Sequence, residues 1–254
     1  MKNQLIETSG FRYVEKGTGQ PILILHGLMG GLSNFEGVFS HFSEAGYRVI
    51  IPELPVYDKP LLKTNVKEFA LYLHEFILFM DLQEVVLLGN SLGGHIALLY
   101  TKLYPKKVKG LIITGSSGLY ENAMGDGYPK RGNYEYIKAK SEEVFYDPKV
   151  ATKEIVDEVF ETVNDRNKLV KTLAIAKSAI RHNMSKDLPK METPTAIIWG
   201  AQDHVTPPNV AEEFYRLLPN STLYWIDQCG HAPMMEHPIR FNEILTDWFQ
   251  TSQI

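Results

Sequence analysis

A serine in a glycine-rich turn is the first candidate for chemistry in this sequence. Ser91 lies in the segment GNSLG at residues 89–93, which follows an apolar run and precedes a helical pattern. In this strand, turn and helix context, G-x-S-x-G predicts a sharp turn that exposes the serine hydroxyl as a nucleophile. Glycines suit such a turn because they tolerate unusual backbone angles and close packing. The alternative interpretation is an ordinary connection of glycine and serine.

A serine nucleophile needs a base and an orienting carboxylate, and two later loops offer them. His231 lies in QCGHAP at residues 228–233, and Asp203 lies in GAQDHVTP at residues 200–207. Each follows a predicted strand, and loops at the carboxyl ends of parallel strands build the sites of open sheets. We therefore predict a catalytic triad of Ser91, Asp203 and His231 in that chain order. Asp203 has the alternative role of a turn aspartate ahead of a proline.

Short apolar runs alternate with segments of helical period along the chain. This alternation predicts an α/β protein with a mostly parallel sheet covered by helices on both faces. The candidate strands are Ile22–Leu25, Arg48–Ile51, Val85–Leu88, Gly110–Thr114, Thr195–Trp199 and Thr222–Ile226. The candidate helices are Asn34–Ala45, Val66–Met80, Gly93–Tyr104, Asn209–Leu217 and Pro238–Phe249.

The alternation is interrupted once, between residues 117 and 189. This stretch begins with a loop rich in glycine and tyrosine and then becomes charged and helical from about Asn133. We interpret it as a helical cap (lid) inserted into a core formed by residues 1–116 and 190–254. Its candidate helices are Ser141–Phe145, Thr152–Val163 and Asn167–His182. Four tyrosines are candidates for an aromatic lining or for packing: Tyr120, Tyr128, Tyr134 and Tyr136.

Composition excludes several classes of protein. The chain has 254 residues, a formal net charge of −4, 44% hydrophobic residues and one cysteine. These values are typical of a globular protein, give no electrostatic basis for binding nucleic acid, and permit no internal disulfide. The chain shows no signal peptide or membrane-spanning run. We therefore expect a cytoplasmic protein with neither nucleic-acid nor membrane partners; its oligomeric state is left open.

Together these motifs resemble the α/β-hydrolase family over nearly the whole chain. The family's His-Gly element is present as HGLMGG at residues 26–31, directly after a predicted strand. The resemblance implies an oxyanion hole formed by the backbone N–H groups of Leu28 and Leu92. His26 is a candidate for bracing this loop. The alternative is that it contacts substrate.

Two reactions of this family remain open. The segments GNSLGGH at residues 89–95 and CGH at residues 229–231 are similar to carbon–carbon hydrolases that cleave ring-fission products of aromatic degradation. That resemblance implies that Arg166 faces the substrate. However, those enzymes commonly carry a tryptophan after the catalytic histidine, where this chain has Ala232, and ELPVYDKP at residues 53–60 lacks their loop glycines. We therefore expect a serine hydrolase of small carboxylic esters, with a 2-hydroxy-6-oxo-dienoate hydrolase as the alternative.

A third interpretation is a hydrolase-fold protein that binds a ligand without catalysis, because fold alone does not establish function. The complete candidate triad argues against it. The sequence indicates no cofactor and no metal: neither phosphate-loop pattern is met, and cysteine and histidine do not cluster at zinc spacing. The expected partner is a small-molecule ester or ketone substrate.

Overall fold

The computed structural model describes residues 5–120 and 130–254. Within these residues, eight strands form one sheet in the order β1-β2-β4-β3-β5-β6-β7-β8. The strands are β1 (Ile6–Thr8), β2 (Phe11–Lys16), β3 (Pro21–Leu25), β4 (Arg48–Pro52), β5 (Val85–Asn90), β6 (Val108–Thr114), β7 (Thr195–Gly200) and β8 (Ser221–Ile226). The six strands from β4 to β8 in this order pair in parallel, so the carboxyl ends of β3, β4, β5, β6, β7 and β8 lie at one edge of the sheet.

Helices cover both faces of the sheet, which confirms the predicted fold class. They are α1 (Glu36–Glu44), α2 (Val66–Phe79), α3 (Leu92–Leu103), α4 (Tyr134–Glu142), α5 (Lys153–Asn164), α6 (Arg166–Arg181), α7 (Pro208–Leu217), α8 (Pro233–Glu236) and α9 (Pro238–Thr251). Alternate side chains of a strand point to opposite faces. Accordingly, Val85 and Leu87 pack in the core with α2 and α3, whereas Val86 and Leu88 pack with α1 and α9.

The amino-terminal strands β1 and β2 were not expected from the sequence. They pair antiparallel with each other, and β2 pairs antiparallel with β4. Their residues are only partly buried, with just Tyr13 and Val14 of β2 in the core. Exposed or half-buried residues at both ends of β2 and along β1 interrupt the continuous apolar run that marks the inner strands.

The first predicted helix of the inserted segment, Ser141–Phe145, is wrong. The helix begins earlier, at Tyr134, because the side chain of Asn133 caps it by accepting a hydrogen bond from the N–H of Tyr136 at 3.1 Å. It ends at Glu142, and residues 143–147 form turns that carry Val144 and Phe145 away from the helix axis. The other two predicted helices correspond to α5 and α6. Gly125, Gly127, Tyr128 and Pro129 of the predicted loop lie outside the described residues.

A pair of histidines connects α3 with the end of α6. Nε2 of His95, on α3, lies 2.9 Å from Nδ1 of His182, which follows α6. Nδ1 of His95 lies 3.2 Å from the hydroxyl of Ser117. Burial, with a smaller effect from His182, lowers the pKa of His95 to about 3. His182 also has a lowered pKa, because of burial and the nearby Lys67 and Lys102, with Asp187 opposing them. Both rings are therefore neutral at pH 7.

The lowered pKa values of this pair predict that the folded protein loses stability in acid. Below pH 6.5 the unfolded chain protonates His95 and the folded chain does not, so stability falls as pH falls toward 3. Each such histidine lowers the unfolding free energy by up to about 1.4 kcal/mol for each unit that the pH falls. We expect the unfolding free energy of His95→Gln to fall by about 2 kcal/mol less than that of wild type between pH 6.5 and 5, measured by urea denaturation. His41→Gln, at an exposed position, is the matched control. Identical pH slopes in wild type and His95→Gln would contradict the assignment.

Candidate active site

The turn between β5 and α3 presents Ser91 in a strained conformation. Its backbone angles are φ 55° and ψ −118°, in the region that glycine favours. The turn is held by three backbone hydrogen bonds. The N–H of Ser91 donates to Thr114 O at 3.0 Å, and Ser91 O accepts from His95 N at 3.2 Å and Ser117 N at 3.3 Å. Surrounding structure thus enforces a backbone geometry that costs energy, which is typical of functional positions.

The glycines of the turn permit a close approach of backbones. A Cβ on Gly93 would lie 2.1 Å from the carbonyl oxygen of Leu25 at the end of β3, and one on Gly89 would lie 2.4 Å from Gly93. Any side chain at either position would displace main chain. The two glycines therefore allow α3 to begin directly against the end of β3, where the HGLMGG loop starts.

His231 and Asp203 form a buried hydrogen-bonded pair. Nδ1 of His231 lies 2.9 Å from Oδ2 of Asp203, and their side chains are 9% and 0% exposed. The two residues come from the loops after β8 and β7, which are neighbouring parallel strands. A carboxylate acceptor at Nδ1 favours the tautomer that carries its proton there, which leaves the lone pair of Nε2 available to accept a proton.

Thr206 is a member of the site that sequence reasoning missed. Its hydroxyl donates to Oδ2 of Asp203 at 2.8 Å and lies 3.3 Å from Nδ1 of His231. The N–H groups of Val205 and Thr206 donate to Oδ1 of Asp203 at 2.8 and 3.0 Å. These bonds fix the orientation of the carboxylate. Threonine three residues after an aspartate is a common turn pattern, so the sequence carried only a weak signal for this role.

Asn90 is a second missed residue, and it connects the serine turn to the histidine loop. Its side-chain amide donates to Thr114 O at 3.1 Å and to His231 O at 3.0 Å. The side chain is buried, and it contacts a residue 141 positions later in the chain. The residue before the serine in G-x-S-x-G can be of any type, and nothing in the local sequence indicates that it hydrogen-bonds to a distant loop. The role of Asn90 was therefore not predictable.

The predicted oxyanion residues Leu28 and Leu92 both line the cavity that contains Ser91. Leu92 is the first residue of α3, where N–H groups lack acceptors within the helix. Gly27 brings the other loop close, since a Cβ there would lie 3.4 Å from the Cβ of Ser91. The adjoining turn is closed by a hydrogen bond from Gly30 N to Gly27 O at 3.2 Å.

His26 braces this loop and does not face the cavity. Its Nδ1 lies 2.9 Å from the carbonyl oxygen of Gly27, and its Nε2 accepts from the N–H of Leu54 at 3.0 Å. Burial lowers the pKa of His26, which favours the neutral ring that this arrangement requires. The candidate contact between His26 and substrate therefore has no geometric support, because backbone groups occupy both ring nitrogens.

The cavity has a volume of about 520 Å³, within the range of roughly 300–1,000 Å³ for small-molecule sites. Ser91 and His231 lie in its wall. Most other described lining residues are apolar: Leu28, Met29, Leu92, Val144, Phe145, Ile155, Val159, Ile175, Ala176, Ala179, Ile180, Val205, Ala232 and Met235. Three exposed charged residues also line it, namely Lys140, Glu154 and Glu158. Lys140 donates to Glu143 at 2.6 Å.

Arg166 and the three described candidate tyrosines are absent from the described cavity wall. Arg166 is the exposed first residue of α6 and is absent from the described cavity wall. Tyr134 donates to Asp157 at 2.6 Å, and Tyr120 is 58% exposed. Tyr136 lies beside Lys130 and packs against the small cluster around Ile137. The expectations of a substrate-facing arginine and an aromatic lining are thus not supported by the described residues.

Within residues 5–120 and 130–254, no group of three histidine, cysteine, aspartate or glutamate residues is arranged to hold a metal ion. In the same part of the chain, no helix is long and apolar enough to cross a membrane.

Curated proteins similar to this chain include lipases and carbon–carbon hydrolases. Lipase 3 of Moraxella sp. (strain TA144) is 28% identical over 236 residues, which cover 86% of this chain and 74% of the lipase. A 2-hydroxy-6-oxononadienedioate/2-hydroxy-6-oxononatrienedioate hydrolase of Pseudomonas sp. is 24% identical over 253 residues, which cover 92% of this chain and 89% of that enzyme. Both of these relatives are hydrolases by name or reaction.

A solved structure and a family match agree with these relatives. The crystal structure of an α/β hydrolase enzyme from the metagenome of sediments from the lagoon of Mar Chica, Morocco, has a TM-score of 0.83 at 59% identity. It covers 98% of this chain and 99% of that one. Residues 20–142 and 135–238 match the family described as the α/β hydrolase fold. The chain therefore belongs to the α/β-hydrolase family, whose members similar to it are hydrolytic enzymes.

Proposed function

We propose that this protein is a serine hydrolase that cleaves small carboxylic esters, with Ser91, His231 and Asp203 as its catalytic triad. The observation that carries the proposal is the cavity itself. The partly buried Ser91 and a histidine paired with a buried carboxylate lie in the wall of one largely apolar cavity. Residues 117–189 act as the cap in this proposal, because α4, α5 and α6 supply much of that wall.

The mechanism follows from these positions. Nε2 of His231 takes the proton of the Ser91 hydroxyl as the oxygen attacks the ester carbonyl. The N–H groups of Leu28 and Leu92 bind the oxyanion, and Asp203 stabilises the imidazolium. His231 then gives its proton to the departing alcohol. Water, deprotonated by His231, attacks the acyl-enzyme and releases the carboxylic acid with regeneration of Ser91.

The charges around the cavity favour an uncharged substrate. Of the three charged residues that line it, two are the carboxylates Glu154 and Glu158, and the third, Lys140, is already paired with Glu143. Hydrogen bonds from its own N–H and from Thr152 lower the pKa of Glu154, so it is ionised at neutral pH. A dicarboxylate substrate would meet acidic side chains at the mouth and no described arginine inside.

The alternative is a carbon–carbon hydrolase acting on a 2-hydroxy-6-oxo-dienoate. It is favoured by the similarity to relatives whose names describe that activity, of which this chain covers about nine tenths of the length. The same triad would serve, with an added step of substrate ketonisation. The position of Arg166 outside the described cavity wall is the main argument against this alternative.

Competing substrates separate the two proposals. We expect kcat/KM for p-nitrophenyl butyrate to exceed those for mono-p-nitrophenyl succinate and for a 2-hydroxy-6-oxo-dienoate by at least tenfold. We also expect Ser91→Ala to abolish each activity. Replacing Glu154 and Glu158 together by glutamine should raise kcat/KM for mono-p-nitrophenyl succinate, because it removes two like charges. The increase should be only about two- to fivefold, because exposed charges are strongly screened. Glu135→Gln, at an exposed position not lining the cavity, is the matched control. Faster turnover of the dienoate would instead establish the carbon–carbon reaction.

The orienting role of Asp203 gives a second prediction. Asp203→Asn keeps the size of the side chain but presents an amide that no longer fixes the imidazole in its reactive tautomer. We expect kcat to fall by up to about 10⁴-fold with the fold retained by circular dichroism. Asp247→Asn, on the exposed face of α9, should leave kcat unchanged. An Asp203→Asn enzyme with near wild-type turnover would place the acid elsewhere.

A further inference from the structure

The carboxylate of Glu236 lies between two segments that meet at the active site. Its Oε1 accepts a hydrogen bond from Gly230 N at 2.8 Å, next to His231 in the chain. Its Oε2 accepts from Tyr146 N at 2.7 Å and, more weakly, from Asp147 N at 3.4 Å. One side chain therefore connects the histidine loop to the turn that follows α4.

The two segments are also in direct contact. The N–H of His231 donates to Val144 O at 2.9 Å. Gly230 packs so closely that a Cβ there would lie 2.7 Å from Val144 O and 2.9 Å from Cα of Phe145. The backbone that carries His231 thus rests on residues 144–147, and only glycine at position 230 allows that contact.

Residues 144–147 also form part of the cavity. Val144 and Phe145 lie in its wall, as does Met235, the residue before Glu236. The Cys229 thiol lies 3.8 Å from Oε1 of Glu236, and its pKa is raised by burial and by that carboxylate, so it stays neutral. The two oxygens of Glu236 are therefore available as acceptors for the backbone N–H groups on either side.

We infer that Glu236 is a positioning residue that holds the His231 loop against the cavity wall and so sets the distance between His231 and Ser91. This inference rests on the proposed role of His231 as general base. Glu236 acts through the backbone at Gly230 and touches no reacting atom. A misplacement of a catalytic group by about 1 Å can reduce turnover on the order of 10²-fold.

Glutamine cannot replace this carboxylate. An amide offers one oxygen acceptor, and its NH₂ group would face the N–H of either Gly230 or Tyr146, donor against donor. One of the two connections is lost whichever way the amide turns. The apolar cavity wall remains, so substrate binding should change much less than the chemical step.

The test is Glu236→Gln beside Glu243→Gln, a matched control at an exposed glutamate of α9 that pairs with Arg240. Both variants and wild type are titrated for active sites with a fluorophosphonate. kcat and KM for p-nitrophenyl butyrate are then expressed per titrated site. We expect kcat of Glu236→Gln to fall about 10- to 100-fold with KM changed less than threefold, and Glu243→Gln to match wild type.

A merely structural role for Glu236 would give a different result. It would lower the melting temperature and the fraction of titratable sites, while kcat per titrated site stayed within twofold of wild type; that outcome overturns the inference. Glu236→Asp, which keeps both acceptors on a shorter side chain, should recover part of kcat. It also provides the measurement if Glu236→Gln does not fold, and a kcat per site equal to wild type in both the aspartate variant and the control then overturns the inference.

The two proposals can fail separately. If Ser91→Ala and Asp203→Asn retain activity, the proposed function fails whatever Glu236→Gln does. If those two variants are inactive and Glu236→Gln is normal per site, only the positioning role of Glu236 is lost.

Discussion

The hydrogen bond between Nδ1 of His231 and Oδ2 of Asp203, 2.9 Å long and almost fully buried, imposes the strictest requirement on this structure. A buried carboxylate is stable only when its oxygens are satisfied, and here two backbone N–H groups, the Thr206 hydroxyl and the imidazole supply four partners. These partners come from the ends of two adjacent strands. The sheet must therefore hold β7 and β8 in a register that brings both loops together. Six residue pairs between the two strands set that register.

Glycines allow the remaining groups to reach this pair. A Cβ on Gly115 would lie 2.8 Å from Nδ1 of His231, and one on Gly200 would lie 2.0 Å from Gly230 O. The serine turn packs against the end of β3 in the same way. Parallel strands bring loop ends to one edge, and the absence of side chains at these few positions lets the loops pack closely enough for a site. Asn90 and Glu236 then tie the histidine loop to its neighbours.

Much of this arrangement was predictable from sequence because it depends on local patterns. Apolar runs located β3 to β8, and the residues following β5, β7 and β8 pointed to Ser91, Asp203 and His231. The edge strands β1 and β2 were missed because their residues are only partly buried. Helical character was recognised from about Asn133, but the helix was placed at Ser141–Phe145, whereas the asparagine cap starts α4 at Tyr134. Thr206, Asn90 and Glu236 act through contacts with backbone or with a distant loop, which side-chain type alone does not reveal. Arg166 was a candidate by resemblance only, and its exposed place on α6 shows that matching a short motif does not fix where an inserted helix faces.

The central claim is that Ser91 is a nucleophile activated by His231 and Asp203. The most direct measurement is the rate at which a fluorophosphonate modifies the native protein, followed by intact mass and by mapping of the modified peptide. We expect one adduct per chain, at Ser91, and we expect it to form on the order of 10²-fold or more slowly in His231→Ala and Asp203→Asn. Labelling at another residue, or equal rates in wild type and His231→Ala, would contradict it.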